Sequence, residues 1–240
     1  MNEIEKVLQK LRDTKALEFG VGALKKVPSM FEKLFPGKTA VVVADKITYD
    51  IAGETIYNCL RNAGIRTEPS FIFTDPGLYA EWSYLEQLES YLKERDAIAV
   101  AVGVGVINDL TKLASSHLNR RYLIVGTAAS MDGYTAYGAS ITYHGNKQTF
   151  DCRAPIGMVM DPAIAAKAPN KITASGYGDL IAKIPSGADW IIADGVGSES
   201  IDKFAFSLVQ RNLNEALANP DAIASGEVTA VGKLAYGLIM

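Results

Sequence analysis

Continuous apolar runs alternate with amphipathic segments through the first half of the chain. Ile4, Val7, Leu8 and Leu11 recur at helical spacing, so the chain is expected to open with an amphipathic helix. Residues 38–44 form a short apolar run ending at Asp45, the pattern of a strand buried on both faces. A helix is predicted over 49–62, closed by Gly64, followed by a strand over 69–74 and a long helix over 78–94. A third strand, Ala97-Ile98-Ala99-Val100-Ala101-Val102, runs straight into Gly103-Val104-Gly105. A helix to about Leu118 and a fourth strand over 122–125 complete this series. Strands alternating with helices of this length predict a parallel sheet with right-handed crossovers. Such sheets bind ligands at the carboxyl ends of their strands, where Asp45, Thr74, the Gly103 loop and Thr127 all fall.

The rhythm changes after Tyr137. Residues 141–150 read as a β-hairpin with a Gly145-Asn146 turn, and 157–160 as another short strand stopped by Asp161-Pro162. Beyond Pro169 the pattern is helical: 173–193 with an internal Pro185, then 198–218, then about 226–240. The expected fold is therefore α/β, a Rossmann-like parallel-sheet domain over 1–160 that binds nucleotide, followed by the first part of an all-α domain over 161–240. The last ten residues form an apolar helix with no stop signal, so the helical half is expected to be incomplete. An uncovered apolar last helix hints at self-association into a homo-oligomer.

Composition narrows the class. The net charge of −3 gives no general attraction for nucleic acid or acidic membrane surfaces. Arg120-Arg121 and Lys25-Lys26 read as solvated edges. The two cysteines, Cys59 and Cys152, have no second cysteine at metal-ligand spacing and read as ordinary thiols of a reducing cytoplasm. The first residues are charged where a signal peptide needs an apolar core, and no apolar run reaches membrane-spanning length. A cytoplasmic protein is expected.

Three segments could carry chemistry. The first is Gly103 to Asp109, a strand-to-helix turn whose backbone N–H groups can approach a phosphate beside the positive end of a helix dipole. It is not the dinucleotide fingerprint, because Asn108 occupies the third glycine position. Asp109 reads, by itself, as a helix-capping carboxylate. The second is Thr127-Ala128-Ala129-Ser130-Met131-Asp132-Gly133-Tyr134, where Thr127 and Ser130 offer donors and Asp132 can accept from hydroxyls; taken alone, a turn rich in Ser, Asp and Gly is the favoured explanation. The third is Gly176-Tyr177-Gly178-Asp179, with Lys183 one turn beyond Asp179. A surface ion pair would explain the two charges, but the helix around them is apolar, which favours a metal ligand or the partner of a buried cation. His117 reads as a helix C-terminal residue and His144 as a turn residue. No nucleophile-elbow motif occurs.

Taken in order, these segments resemble the sn-glycerol-1-phosphate dehydrogenases, within the wider group of glycerol dehydrogenase, iron-dependent alcohol dehydrogenases and dehydroquinate synthase. The match runs from about Phe19 to the end and rests most on residues 127–134 and 176–183, with Ala188-Asp189-Trp190. The resemblance implies a dehydroquinate synthase-like fold and reduction of dihydroxyacetone phosphate with NADH or NADPH. Asp45 would meet the adenosine ribose, Gly103, Val104, Gly105, Val106 and Ile107 the pyrophosphate, and Thr127, Ala128, Ala129 and Ser130 the nicotinamide side. Asp132 and Asp179 would touch the substrate, and Asp179 would also bind zinc, nickel or another divalent metal. Two departures are visible: Val104 fills the middle of a loop that is usually three glycines, and Ala136 replaces a serine. The family's two metal-binding histidines are expected beyond Met240, and one carboxylate cannot hold a catalytic zinc. Two other readings remain: a lyase of the dehydroquinate synthase kind, and a protein that binds nucleotide and catalyses nothing.

Overall fold

The computed structural model describes residues 3–211 and 213–240, the side chains of residues 3–5 excepted. Met1 and Asn2 of the charged opening stretch, and the Ile4 side chain of the first predicted helix, therefore lie outside the described residues. The chain divides into two compact units, residues 1–127 with 134–161, and residues 128–133 with 162–240.

The first unit opens with helix α1 (Glu3–Lys10), strand β1 (Ala16–Phe19) and helix α2 (Val27–Leu34). β2 (Thr39–Asp45) leads through α3 (Lys46–Thr48) and a wide turn at Tyr49–Gly53 into α4 (Glu54–Asn62). β3 (Phe71–Phe73), α5 (Trp82–Lys93), β4 (Ala97–Gly103), α6 (Gly105–His117) and β5 (Leu123–Gly126) follow. The hairpin β6 (Ala139–Tyr143) and β7 (Asn146–Phe150) precedes β8 (Gly157–Met160). Six strands form a parallel sheet in the order β1-β8-β5-β4-β2-β3, as the alternating pattern requires. β4, β5 and β8 are buried along their whole length, which explains their unbroken apolar runs.

The chain leaves β2 outward to β3, returns to β4 on the other side of β2, and continues to β5 and β8. With right-handed crossovers, this reversal puts α4 and α6 on opposite faces of the sheet. Helix pairing agrees, since α2 packs on α4 and α5 on α6. The reversal falls between β2 and β4, so a switch point opens between the Asp45 and Gly103 ends.

Several expectations need correction. β1 has no counterpart among the predicted strands, because a four-residue edge strand of intermediate burial has no apolar run, and α2 is an additional helix beyond those expected. The hairpin turns on His144-Gly145 rather than Gly145-Asn146; both have positive φ, 49° and 77°, as a two-residue hairpin loop of matching twist demands. Arg120 and Arg121 are not solvated edges. Arg120 donates to the carbonyls of Leu92, Arg95 and Ala97 (2.8, 2.7 and 3.3 Å), and Arg121 bonds Asp13 and the Ala154 carbonyl.

The second unit holds α7 (Pro162–Ala165), α8 (Asn170–Gly195), α9 (Lys203–Gln210), α10 (Leu213–Leu217), α11 (Pro220–Ala224) and α12 (Val228–Ile239). The single helix expected over 198–218 is two, the first starting only where the Asp202 carboxylate accepts from the N–H groups of Phe204 and Ala205. The last helix is not uncovered either. α12 buries Val231, Leu234, Ala235, Leu238 and Ile239 and packs on α7, α8, α10 and α11. Most exposed apolar side chains of this unit lie on α8 instead, at Ile181, Ile184, Ile191 and Ile192, with Val196 just past its end. Among the described residues no helix is long and apolar enough to cross a membrane.

Candidate cofactor and substrate sites

In the first unit, Asp45, Gly103 and Thr127 stand at the carboxyl ends of β2, β4 and β5, which are adjacent or next to one another in the sheet. Gly103 pairs with Gly126, and the Thr127 N–H donates to the Gly103 carbonyl at 3.2 Å. Gly103 is set by packing: a Cβ there would lie 2.8 Å from Ile107 of α6. Val104 takes φ −105° and ψ −164°, extended backbone that a β-branched residue accepts, and serves as the N-cap of α6 without a side-chain hydrogen bond. Val104, Gly105 and Val106 are partly exposed, while Ile107 is buried. A 13-residue helix thus presents its positive end, uncapped by any side chain, at the switch point of a parallel sheet.

Asp45 has a local role. Its carboxylate accepts from the Thr48 N–H at 2.8 Å while the Thr48 hydroxyl takes the Asp45 N–H, a capping box that starts α3. Asp109 does not cap α6. It accepts from the Ser140 N–H at 3.2 Å and lies 3.7 Å from Lys112. Lys112 is 1% exposed and donates to the carbonyls of Ala136 and Gly138 at 3.0 and 2.9 Å. Burial pushes the Asp109 carboxyl up, opposed by the Lys112 charge, and burial pulls the Lys112 ammonium down. The Cys152 thiol is pushed up to about 11 by burial. Asn108, in the third glycine position, accepts from the Tyr122 hydroxyl at 2.9 Å, so its residue type answers to the core. Sequence reading missed this buried network, because a lysine three residues after an aspartate on a helix is usually a solvated pair.

His117 ends α6, packs on Trp82 and lies 2.5 Å from the Glu89 carboxylate. His144 stacks on Tyr143. Both are structural members of the first unit.

In the second unit, residues 128–133 lie on α8. Ala128 and Ala129 are buried, Ser130 is half-buried and Asp132 is 47% exposed. The buried stripe of α8 is Thr173, Gly176, Leu180 and Gly187, and Lys183 occupies the inward position between the last two. Lys183 pairs with Asp132 at 3.2 Å, not with Asp179. Asp179 falls off the stripe and is exposed, so the apolar helix does not bury it. Beside the Asp132–Lys183 pair is a cavity of about 490 Å³ walled by Trp190, Phe206 and Gln210. Among the described residues no three His, Cys, Asp or Glu side chains come together to hold a metal ion. Asp179 stands without the companions a metal centre needs.

The sequence profile of the iron-containing alcohol dehydrogenases matches residues 18–169, well over half of the chain. The chain belongs to that family. Among curated proteins it is 32% identical over 202 residues to a glycerol-1-phosphate dehydrogenase [NAD(P)+] of Halalkalibacterium halodurans, covering 83% of this chain and 50% of the relative. It is 29% identical over 220 residues to the protein of that name in Methanosarcina mazei, covering 92% and 61%. The chain thus spans about half the length of the curated relatives it matches. Solved structures share the fold: a probable glycerol dehydrogenase from Sinorhizobium meliloti 1021 superposes with a TM-score of 0.74 at 20% identity, covering 94% of this chain and 63% of that one. Glycerol dehydrogenase from Schizosaccharomyces pombe gives 0.73 at 19%, covering 96% and 61%.

Proposed function

We propose that this chain binds NAD(P) at the N-terminus of α6 and serves an oxidoreductase that reduces dihydroxyacetone phosphate to sn-glycerol 1-phosphate. The observation that carries the reading is the uncapped, partly exposed helix end at the switch point, flanked by Asp45 and by the Gly103–Gly126 pair. Free N–H groups and the helix dipole there suit a pyrophosphate. Asp45 would accept from the adenosine ribose, and residues 127–130 would line the nicotinamide side. Asp132 would accept from a substrate hydroxyl. The names of the curated relatives support both the cofactor and the substrate class.

The zinc, nickel or other divalent metal implied by the resemblance has one candidate ligand here, Asp179. The donors present do not complete a centre, so no step is routed through it. A second reading is nucleotide binding without turnover. The compartment this function implies is the cytoplasm.

The test is NADH titration, read by nicotinamide fluorescence, of the wild-type chain and of Val104→Asp. An aspartate in this extended N-cap position caps the helix, which contributes about 0.5–2 kcal/mol, and sets a negative charge where the pyrophosphate would lie. The expected outcome is NADH affinity at least about tenfold weaker with an unfolding midpoint equal or higher. Unchanged affinity would overturn the cofactor site. Oxidation of NADH on adding dihydroxyacetone phosphate separates the two functional readings.

A further inference from the structure

Residues 128–133 are gripped by α8 at two points. The Ala129 carbonyl lies so close to the helix that a Cβ on Gly176 would come within 2.1 Å of its oxygen. Two turns along the same stripe, Lys183 sets its Nζ 3.2 Å from Asp132 Oδ2. Every other member of that stripe is small, apolar or a threonine. A lysine in such a position, with its side chain 17% exposed, needs a partner for its charge, and the partner is Asp132.

We propose that Lys183 is a positioning residue for Asp132. It holds the carboxylate, and through it the 128–133 segment, against α8, so that Asp132 meets a substrate hydroxyl from a preset place. The last clause rests on the proposed function; the clamp itself does not. Pre-setting matters because a carboxylate 47% exposed on a glycine-flanked turn otherwise samples several rotamers, and each lost rotamer must be recovered on binding.

The experiment compares Lys183→Met, Lys183→Arg, Asp132→Asn and the double variant Lys183→Met/Asp132→Asn with the wild-type chain. Amide hydrogen exchange over residues 128–133 reads the clamp without any substrate. Lys183→Met and Asp132→Asn should each speed exchange about three- to fivefold, the range expected of one partly exposed ion pair. The double variant should exchange no faster than either single one, and Lys183→Arg should stay near wild type. Exchange unchanged in Lys183→Met, or additive in the double variant, overturns the clamp. Calorimetric titration with dihydroxyacetone phosphate reads the second clause: Lys183→Met should weaken binding about threefold in the wild-type background and not at all beside Asp132→Asn. A loss that persists beside Asp132→Asn would mean that Lys183 meets the phosphate itself, which refutes the positioning role. If no protein of the set, wild type included, binds dihydroxyacetone phosphate, the proposed substrate falls while the exchange data still decide the clamp.

Discussion

Helices α6 and α8 treat their apolar residues in opposite ways. α6 has 13 residues, of which eight are buried, including Asn108, Thr111, Lys112 and Ser115, so even its polar side chains are drawn into the core, where Asn108 and Lys112 are hydrogen-bonded. α8 has 26 residues and buries four, leaving Ile181, Ile184, Ile191 and Ile192 exposed. Periodicity therefore predicts a helix in both cases but predicts burial only where a sheet waits beneath it. The same contrast governs charge. The Asp109–Lys112 pair of α6 is internal, whereas the Asp132 carboxylate that Lys183 holds is about half exposed.

Each tryptophan of the chain falls in a different unit, Trp82 in the first and Trp190 in the second, so single-tryptophan variants read them separately. The largest effect is expected from Lys112→Ala, read by urea unfolding at Trp82 in a Trp190→Phe background. It strips two carbonyls and the Asp109 carboxylate of their cation, and a loss of about 3–5 kcal/mol is expected for a broken buried pair. A loss below about 1 kcal/mol would show the pair to be solvated and would erase the contrast with Lys183.

Glycine substitutions sharpen it next. Gly103→Ala and Gly176→Ala should each cost about 1–3 kcal/mol by overpacking. They differ in what they strike, the Ile107 side chain in one case and the Ala129 backbone in the other. Pairing Gly103→Ala with Ile107→Gly, which removes the Cβ and Cγ1 that the new methyl meets, should relieve the clash at Gly103, seen as a total cost below the sum of the single ones. No side-chain change in residues 128–133 should relieve Gly176→Ala. The smallest effect belongs to Ile191→Ser and Ile192→Ser on the outer face of α8, each expected within about 0.5 kcal/mol, read at Trp190 in a Trp82→Phe background. A larger loss would mean that this face is buried in solution.

Much of the sheet was readable from its apolar runs because central parallel strands are buried on both faces and tolerate little else. β1 was not, since an edge strand of mixed burial has no such constraint. The Gly103 loop and residues 127–134 were legible as candidates because strand ends in a parallel sheet collect ligands. The partners of Asp109, Lys112, Lys183 and Arg120 were not. Each bonds to residues that are local in space but 20 or more positions away in sequence, as Lys183 does to Asp132 and Lys112 to Gly138.

From sequence alone came the element types, the alternation that makes a parallel α/β sheet, and the strand-end segments where a cofactor is expected. All of these depend on local periodicity and on the backbone needs of a few turns. Only the tertiary structure decided which charges are buried, that α6 begins without a side-chain cap, and that Lys183 turns to Asp132 instead of Asp179. Those outcomes depend on which surfaces meet, and a charge finds its partner through that packing rather than through its neighbours in the chain.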